Sequence, residues 1–154
     1  MHIVEIQERR IEGMCVRTCN ADEADLNHAR IGDVWAKFEV QVAPHIAPGS
    51  MAYGVYHHYA SDANGAYVLL VGSDAVQQNK FTDAHALQAV NIQAGPYVVF
   101  QSCGATPQAV IETWERVWTY FSDPHCRHQR AYTSDFERYG PDGLLDIHIA
   151  LVAK

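Results

Sequence analysis

A repeat inside the chain constrains its fold more than any other feature. The helical pattern Ile31-x3-Trp35-x2-Phe38 returns as Val110-x3-Trp114-x2-Val117. Ile11-Glu12-Gly13 is echoed by Ile92-Gln93-Ala94-Gly95, each followed by a strand-like run. Each helix pattern is followed by two more strand-like runs, 51–59 with 66–72 and 132–139 with 144–152. The order strand, helix, strand, strand therefore occurs twice in 154 residues. Two copies are too few for a solenoid, so the halves must bury their apolar faces against each other. The predicted fold is α+β: a duplicated β-α-β-β repeat forming an antiparallel sheet, two main helices on one face, and a central ligand cleft at the seam. The chain is expected to be one domain, 1–154, with repeat halves of about 1–80 and 81–154.

Local signals place the elements. Residues 3–19 read as one long strand with a bulge at Gly13. Asn20 or Asp22 offers a cap for the helix carrying Ile31, Val34, Trp35, Phe38 and Val42, which Pro44 ends. Asp62-Ala63-Asn64-Gly65 joins the next two strands, with Asn-Gly supplying positive φ angles for a hairpin. A polar connection over 73–89, with a short strand or a turn of helix, leads to the second half. There Thr106-Pro107 opens the second helix and Asp123-Pro124 stops it.

Composition excludes several classes. Apolar residues make up 48% and charged residues 19%, which argues against disorder. The net charge of -7, without a Lys/Arg cluster, argues against direct nucleic-acid binding and favours cationic ligands. The longest run free of Asp, Glu, Lys and Arg, 84–111, is too polar to span a bilayer, so no membrane role is expected. Four cysteines without CxxC spacing and no visible secretory signal point to reduced thiols in a cytoplasmic protein.

The chemistry concentrates in Ser134-Asp135-Phe136-Glu137-Arg138-Tyr139. Strand alternation puts Glu137 and Tyr139 on one face and Phe136 on the other. Walls for a cleft are available from Trp35, Phe38, Trp114 and Trp118 on the helices, with Tyr53 and Tyr56 from the strands. A Trp or Phe stripe is most often core and a strand Glu most often solvated, so each residue alone is weak evidence. Together they describe an anionic, aromatic pocket, in which ring faces attract a cation by ~0.5–2 kcal/mol each. Asp146 is a weaker second acid and reads first as a hairpin-end residue. The histidines do not suggest a metal: His57 and His58 are adjacent on a strand and point to opposite faces, and His125 and His128 lack a second ligand pair.

Ile92-Gln93-Ala94-Gly95-Pro96-Tyr97-Val98-Val99-Phe100, then Trp114, Phe136-Glu137-Arg138-Tyr139 and Asp146-Ile147-His148-Ile149, resemble the GyrI-like domain. That domain is also the effector-binding domain of AraC-type and MerR-type multidrug regulators. The resemblance covers essentially the whole chain. It implies two repeats around a cleft, a ligand-contacting glutamate at Glu137, and hydrophobic organic cations as ligands. No helix-turn-helix precedes the domain in this sequence, so a stand-alone binding protein is expected. A GyrI-like hydrolase using the same glutamate, or a protein-interaction module of the gyrase-inhibitor type, is the alternative. The expected partner is thus a cationic, aromatic small molecule, with a homodimer mate, a separate regulator or gyrase also open. The chain has no nucleophile elbow, P-loop or dinucleotide fingerprint, so a binding protein is expected over an enzyme, with no cofactor or metal.

Overall fold

The computed structural model describes residues 1–77 and 87–153. Eight strands form one antiparallel, curled sheet: β1 (His2–Ile6), β2 (Arg9–Thr18), β3 (Ala52–His57), β4 (Tyr67–Ser73), β5 (Gln88–Ile92), β6 (Gly95–Gln101), β7 (Ser134–Tyr139) and β8 (Leu145–Ala150). The helices are α1 (Asn20–Glu23), α2 (Ile31–Gln41) and α3 (Pro107–Ser122), with a short 3-10 turn at Ala43–His45. The strand order is β1-β6-β8-β7-β3-β4-β2-β5. It reads outward from the central pair β7 and β3 in the same way on both sides. The repeated β-α-β-β unit is present twice, and each copy is preceded by an additional short strand.

Those additional strands tie the halves together. β1 leaves its own half and pairs with β6, while β5 pairs with β2. The expected single strand over 3–19 is therefore two strands, broken at Gln7 and Glu8 rather than bulged at Gly13. Gly13 lies in regular register with Gly72, and a Cβ there would meet the Val71 carbonyl oxygen at 2.0 Å. Its role is close backbone approach. The expected polar connection and the boundary between halves near residue 80 fall mostly within 78–86, outside the described residues.

Both faces of the sheet are buried. The far face packs Tyr53, Val55, Leu70, Tyr97 and Phe136, with Val4, Ile6 and Val90 of the edge strands folded against them. On the other face α2 seats Val34, Phe38 and Val42 on Leu69 and Val71, and α3 seats Val117 among Val98, Phe100, Ile147 and Ile149. Thr106 caps α3 by accepting from the Ala109 N–H, and Pro107 follows as the first helical residue. Neither Asn20 nor Asp22 caps α2. The Glu23 carboxylate does so from outside the helix, accepting from the N–H groups of Arg30 and Ile31. The link between β3 and β4 is not an Asn-Gly turn with positive φ. Gly65 N–H bonds to the Asp62 carbonyl and Asn64 N–H to the Asp62 side chain, and the positive φ in this link is at His58.

Candidate functional site: a carboxylate between two tryptophans

Each main helix packs on the outer strands of its own half, α2 on β2 and β4, α3 on β6 and β8. The seam over β3 and β7 stays open, and a cavity of about 760 Å³ occupies it. That volume lies within the usual range for a drug-sized ligand.

Strand alternation sets the floor. Ser134 and Phe136 turn to the far face, Ser134 meeting the Tyr97 hydroxyl at 2.9 Å, so Asp135, Glu137 and Tyr139 face the helices. On β3, Gly54 and Tyr56 do the same. Gly54 is the cross-strand partner of Glu137. A Cβ on Gly54 would stand 3.0 Å from Glu137 Oε2 and 3.4 Å from Trp35 Cζ2, so glycine leaves room for both the carboxylate and the indole.

Glu137 is 2% exposed. Its Oε1 accepts from Trp114 Nε1 and from the Tyr56 hydroxyl, both at 2.8 Å, and its Oε2 accepts from the Tyr139 hydroxyl at 2.7 Å. The surrounding rings come from both halves. Trp114 of the second half meets Tyr56 of the first edge-on at 5.0 Å, and Trp35 of the first meets Tyr139 of the second at 4.9 Å. One aromatic pair thus stands on each side of one carboxylate.

The electrostatics are unusual because every donor to Glu137 is neutral. Among the described residues no Lys or Arg forms an ion pair with it. Burial raises its proton affinity above the ordinary carboxylate range, and the bonds from Trp114, Tyr139 and Tyr56 only partly oppose that. Burial and then the Glu137 charge push the Tyr56 and Tyr139 hydroxyls far up, so both stay protonated donors.

The cavity wall also contains a cation, Arg130, but its charge is committed. Arg130 Nη2 lies 2.6 Å from Asp135 Oδ2, and its guanidinium sits over the Tyr132 ring at 4.4 Å. Asp135 further accepts from the Tyr59 hydroxyl at 2.7 Å and the Ala150 N–H at 2.8 Å. This network braces one end of the cavity, whereas Glu137 at its floor has no cationic partner among the described residues.

Six of the residues singled out in the sequence border the cavity: Glu137, Trp114, Tyr139, Tyr56, Trp35 and Trp118, the last 40% exposed at the rim. Two do not. Tyr53 lies three residues from Tyr56, so strand alternation sends it to the far face, where it packs on Phe136 with its hydroxyl near Arg9. Phe38 is three residues along α2 from Trp35 and points into the sheet, 2% exposed. The histidine expectation also changes: β3 ends at His57, and the positive φ of His58 turns its ring back until the two Nδ1 atoms are 2.5 Å apart. Asp146 pairs with Arg138 at 2.7 Å. Among the described residues no three metal-binding side chains cluster, and no helix is long and apolar enough to cross a membrane. Sequence reasoning did not find Gly54, Glu23 or the Arg130–Asp135 pair. A glycine inside an aromatic-rich strand was the available signal for the first.

The family model for integron-associated effector-binding proteins, Cass2, matches residues 2–151. The chain belongs to this family. An integron cassette protein from the mobile metagenome of Vibrio cholerae is 38% identical, with a TM-score of 0.88, covering 98% of this chain and 95% of that one. SAV2435, solved bound to tetraphenylphosphonium, is 16% identical with a TM-score of 0.73, covering 99% of this chain and 93% of that one. EcmrR, solved in complex with DNA, is 12% identical with a TM-score of 0.56, and the match covers 99% of this chain but 57% of EcmrR. The last two likenesses show a shared fold alone; with the family match and the 38% identical cassette protein, the chain is a GyrI-like effector-binding domain. No curated protein sequence matches the chain.

Proposed function

We propose that this effector-binding protein takes hydrophobic organic cations into the cavity, with the positive charge against Glu137 and aryl groups against Trp35 and Trp114. The observation that carries the reading is the buried Glu137 carboxylate, held by three neutral donors without a cationic partner among the described residues. Such a charge is costly in isolation, and a ligand cation relieves the cost on binding. The rings add cation–π attraction of ~0.5–2 kcal/mol each, largest where the pair is desolvated. Charge and ring faces select little else, which suits a broad range of ligands. The tetraphenylphosphonium bound by SAV2435 is a ligand of this class. The chain acts as one binding domain in the cytoplasm, sequestering its ligand or signalling through a separate regulator.

A hydrolytic reading draws on the Tyr56 and Tyr139 hydroxyls beside Glu137, which could orient a water. It has weaker support, because all three groups already satisfy one another. A thermal-shift panel of organic cations, including tetraphenylphosphonium, separates the two. Cations raise the melting temperature of the wild type, and Glu137→Gln abolishes the shift. An equal shift in the variant, or turnover of the added compound detected by mass spectrometry, defeats the binding reading.

A further inference from the structure

The two helical walls of the cavity occupy matching positions but differ in chemistry. The repeat aligns Trp35 with Trp114, Gly32 with Ile111 and Glu39 with Trp118, and all six border the cavity. The α3 wall is therefore apolar throughout. The α2 wall has an open space at Gly32, where a Cβ would meet nothing within 4 Å, and a carboxylate at Glu39. Glu39 lies four residues beyond Trp35, one helical turn or about 6 Å along α2, on the side facing the cavity.

Two other charged groups border the cavity, and both are held in place: Glu23 by neutral donors, with the positive end of the α2 dipole opposing its charge, and Arg130 by an ion pair. Glu23 caps α2 and accepts from the Thr18 hydroxyl at 2.6 Å, and Arg130 is paired with Asp135. Glu39 forms no ion pair with any described residue. Of the three carboxylates bordering the cavity, Glu137 is buried on its floor, Glu23 is held at the start of α2, and Glu39 alone is exposed and, among the described residues, unengaged along one wall. Nothing equivalent stands on the other wall.

We propose that Glu39 is a specificity-determining residue that makes the cavity prefer elongated dications. One charge rests on Glu137 between the tryptophans, and the second lies along α2 toward Glu39. This rests on the cation reading of the same cavity. Because Glu39 is exposed, its contribution is modest and falls with added salt.

Ethidium and propidium are suitable probes, sharing a phenanthridinium ring to which propidium adds a second quaternary ammonium on a propyl tether. Fluorescence titration at low ionic strength should show propidium binding the wild type roughly two- to fivefold more tightly. Glu39→Gln should bring the ratio of the two affinities to about one. Glu8→Gln removes the same charge at an exposed position outside the cavity and should keep the wild-type ratio. A ratio unchanged by Glu39→Gln, or lowered equally by Glu8→Gln, overturns the assignment. If neither probe binds the wild type, or Glu137→Gln binds ethidium as well as the wild type does, the cation reading falls and this preference falls with it.

Discussion

Replacing Glu137 by Gln should make the unliganded protein more stable while removing its function. Gln is nearly isosteric and can keep the hydrogen bonds. Its Oε1 can accept from Trp114 and Tyr56 as the carboxylate Oε1 does, and its Nε2 can donate to a Tyr139 hydroxyl turned to act as acceptor. The charge-assisted bonds weaken, from ~1.5–3 to ~0.5–1.5 kcal/mol each. Against that, the several kcal/mol needed to desolvate a carboxylate disappear. Burial outweighs the three donors in raising the proton affinity of Glu137, so the relieved desolvation is expected to exceed what the weaker bonds lose. The expected net gain is about 1 kcal/mol, or ~2–4 °C in melting temperature for a domain of this size. Glu137→Leu removes the charge and the acceptors together, stranding three donors at ~1–3 kcal/mol each, and should be strongly destabilising.

The pH dependence has a fixed sign. For an acid whose folded proton affinity is raised, stability is fully present below the ordinary value of 4.5 and is lost as pH rises through the folded value. The advantage of Glu137→Gln should therefore grow as pH rises above 4.5 and level off once Glu137 is ionised in the folded protein. Urea unfolding of both proteins from pH 4.5 to pH 8 measures it. A wild type more stable than Glu137→Gln at pH 8, or a difference independent of pH, would mean that burial of the Glu137 carboxylate carries no net cost.

Acid should weaken the fold through His57 and His148, which burial pushes down to about 4 from an ordinary 6.5. Their contribution is present above 6.5 and lost as pH falls toward 4, so the urea midpoint should drop over that window; His148→Phe should flatten the profile. Asp135→Asn should leave the Arg130 guanidinium buried without its counter-charge, at a cost of ~3–5 kcal/mol visible as a lowered melting temperature.

Much of this was legible in the sequence wherever the physics is local. Helical spacing around Trp35 and Trp114, the Thr106-Pro107 start of α3 and the alternation through Phe136, Glu137 and Tyr139 depend on neighbours along the chain, and the structure has them. The exchange of β1 and β5 between halves was not legible, because strand pairing is decided by partners far away in sequence. The same limit hid the Arg130–Asp135–Tyr59 network and the capping of α2 by Glu23. Tyr53 was avoidable: residues three apart on one strand cannot share a face with each other, and Tyr56 already occupied the cavity side. Phe38 could not be settled without knowing which flank of α2 meets the sheet. Gly54 matters through a side chain it lacks, and only the position of Glu137 opposite it gives that absence a meaning.

Ligand binding in this cavity turns on recognition of charge by Glu137. Calorimetric titration of the wild type with tetraphenylphosphonium and with neutral triphenylphosphine oxide, repeated at several pH values, tests it most directly. The phosphonium carries a permanent charge, so any pH dependence of its affinity reports the protein. The phosphonium should bind and the neutral compound should not, with phosphonium affinity falling as acid protonates Glu137. Equal affinity for the two compounds, or phosphonium binding indifferent to pH and to Glu137→Gln, would contradict it.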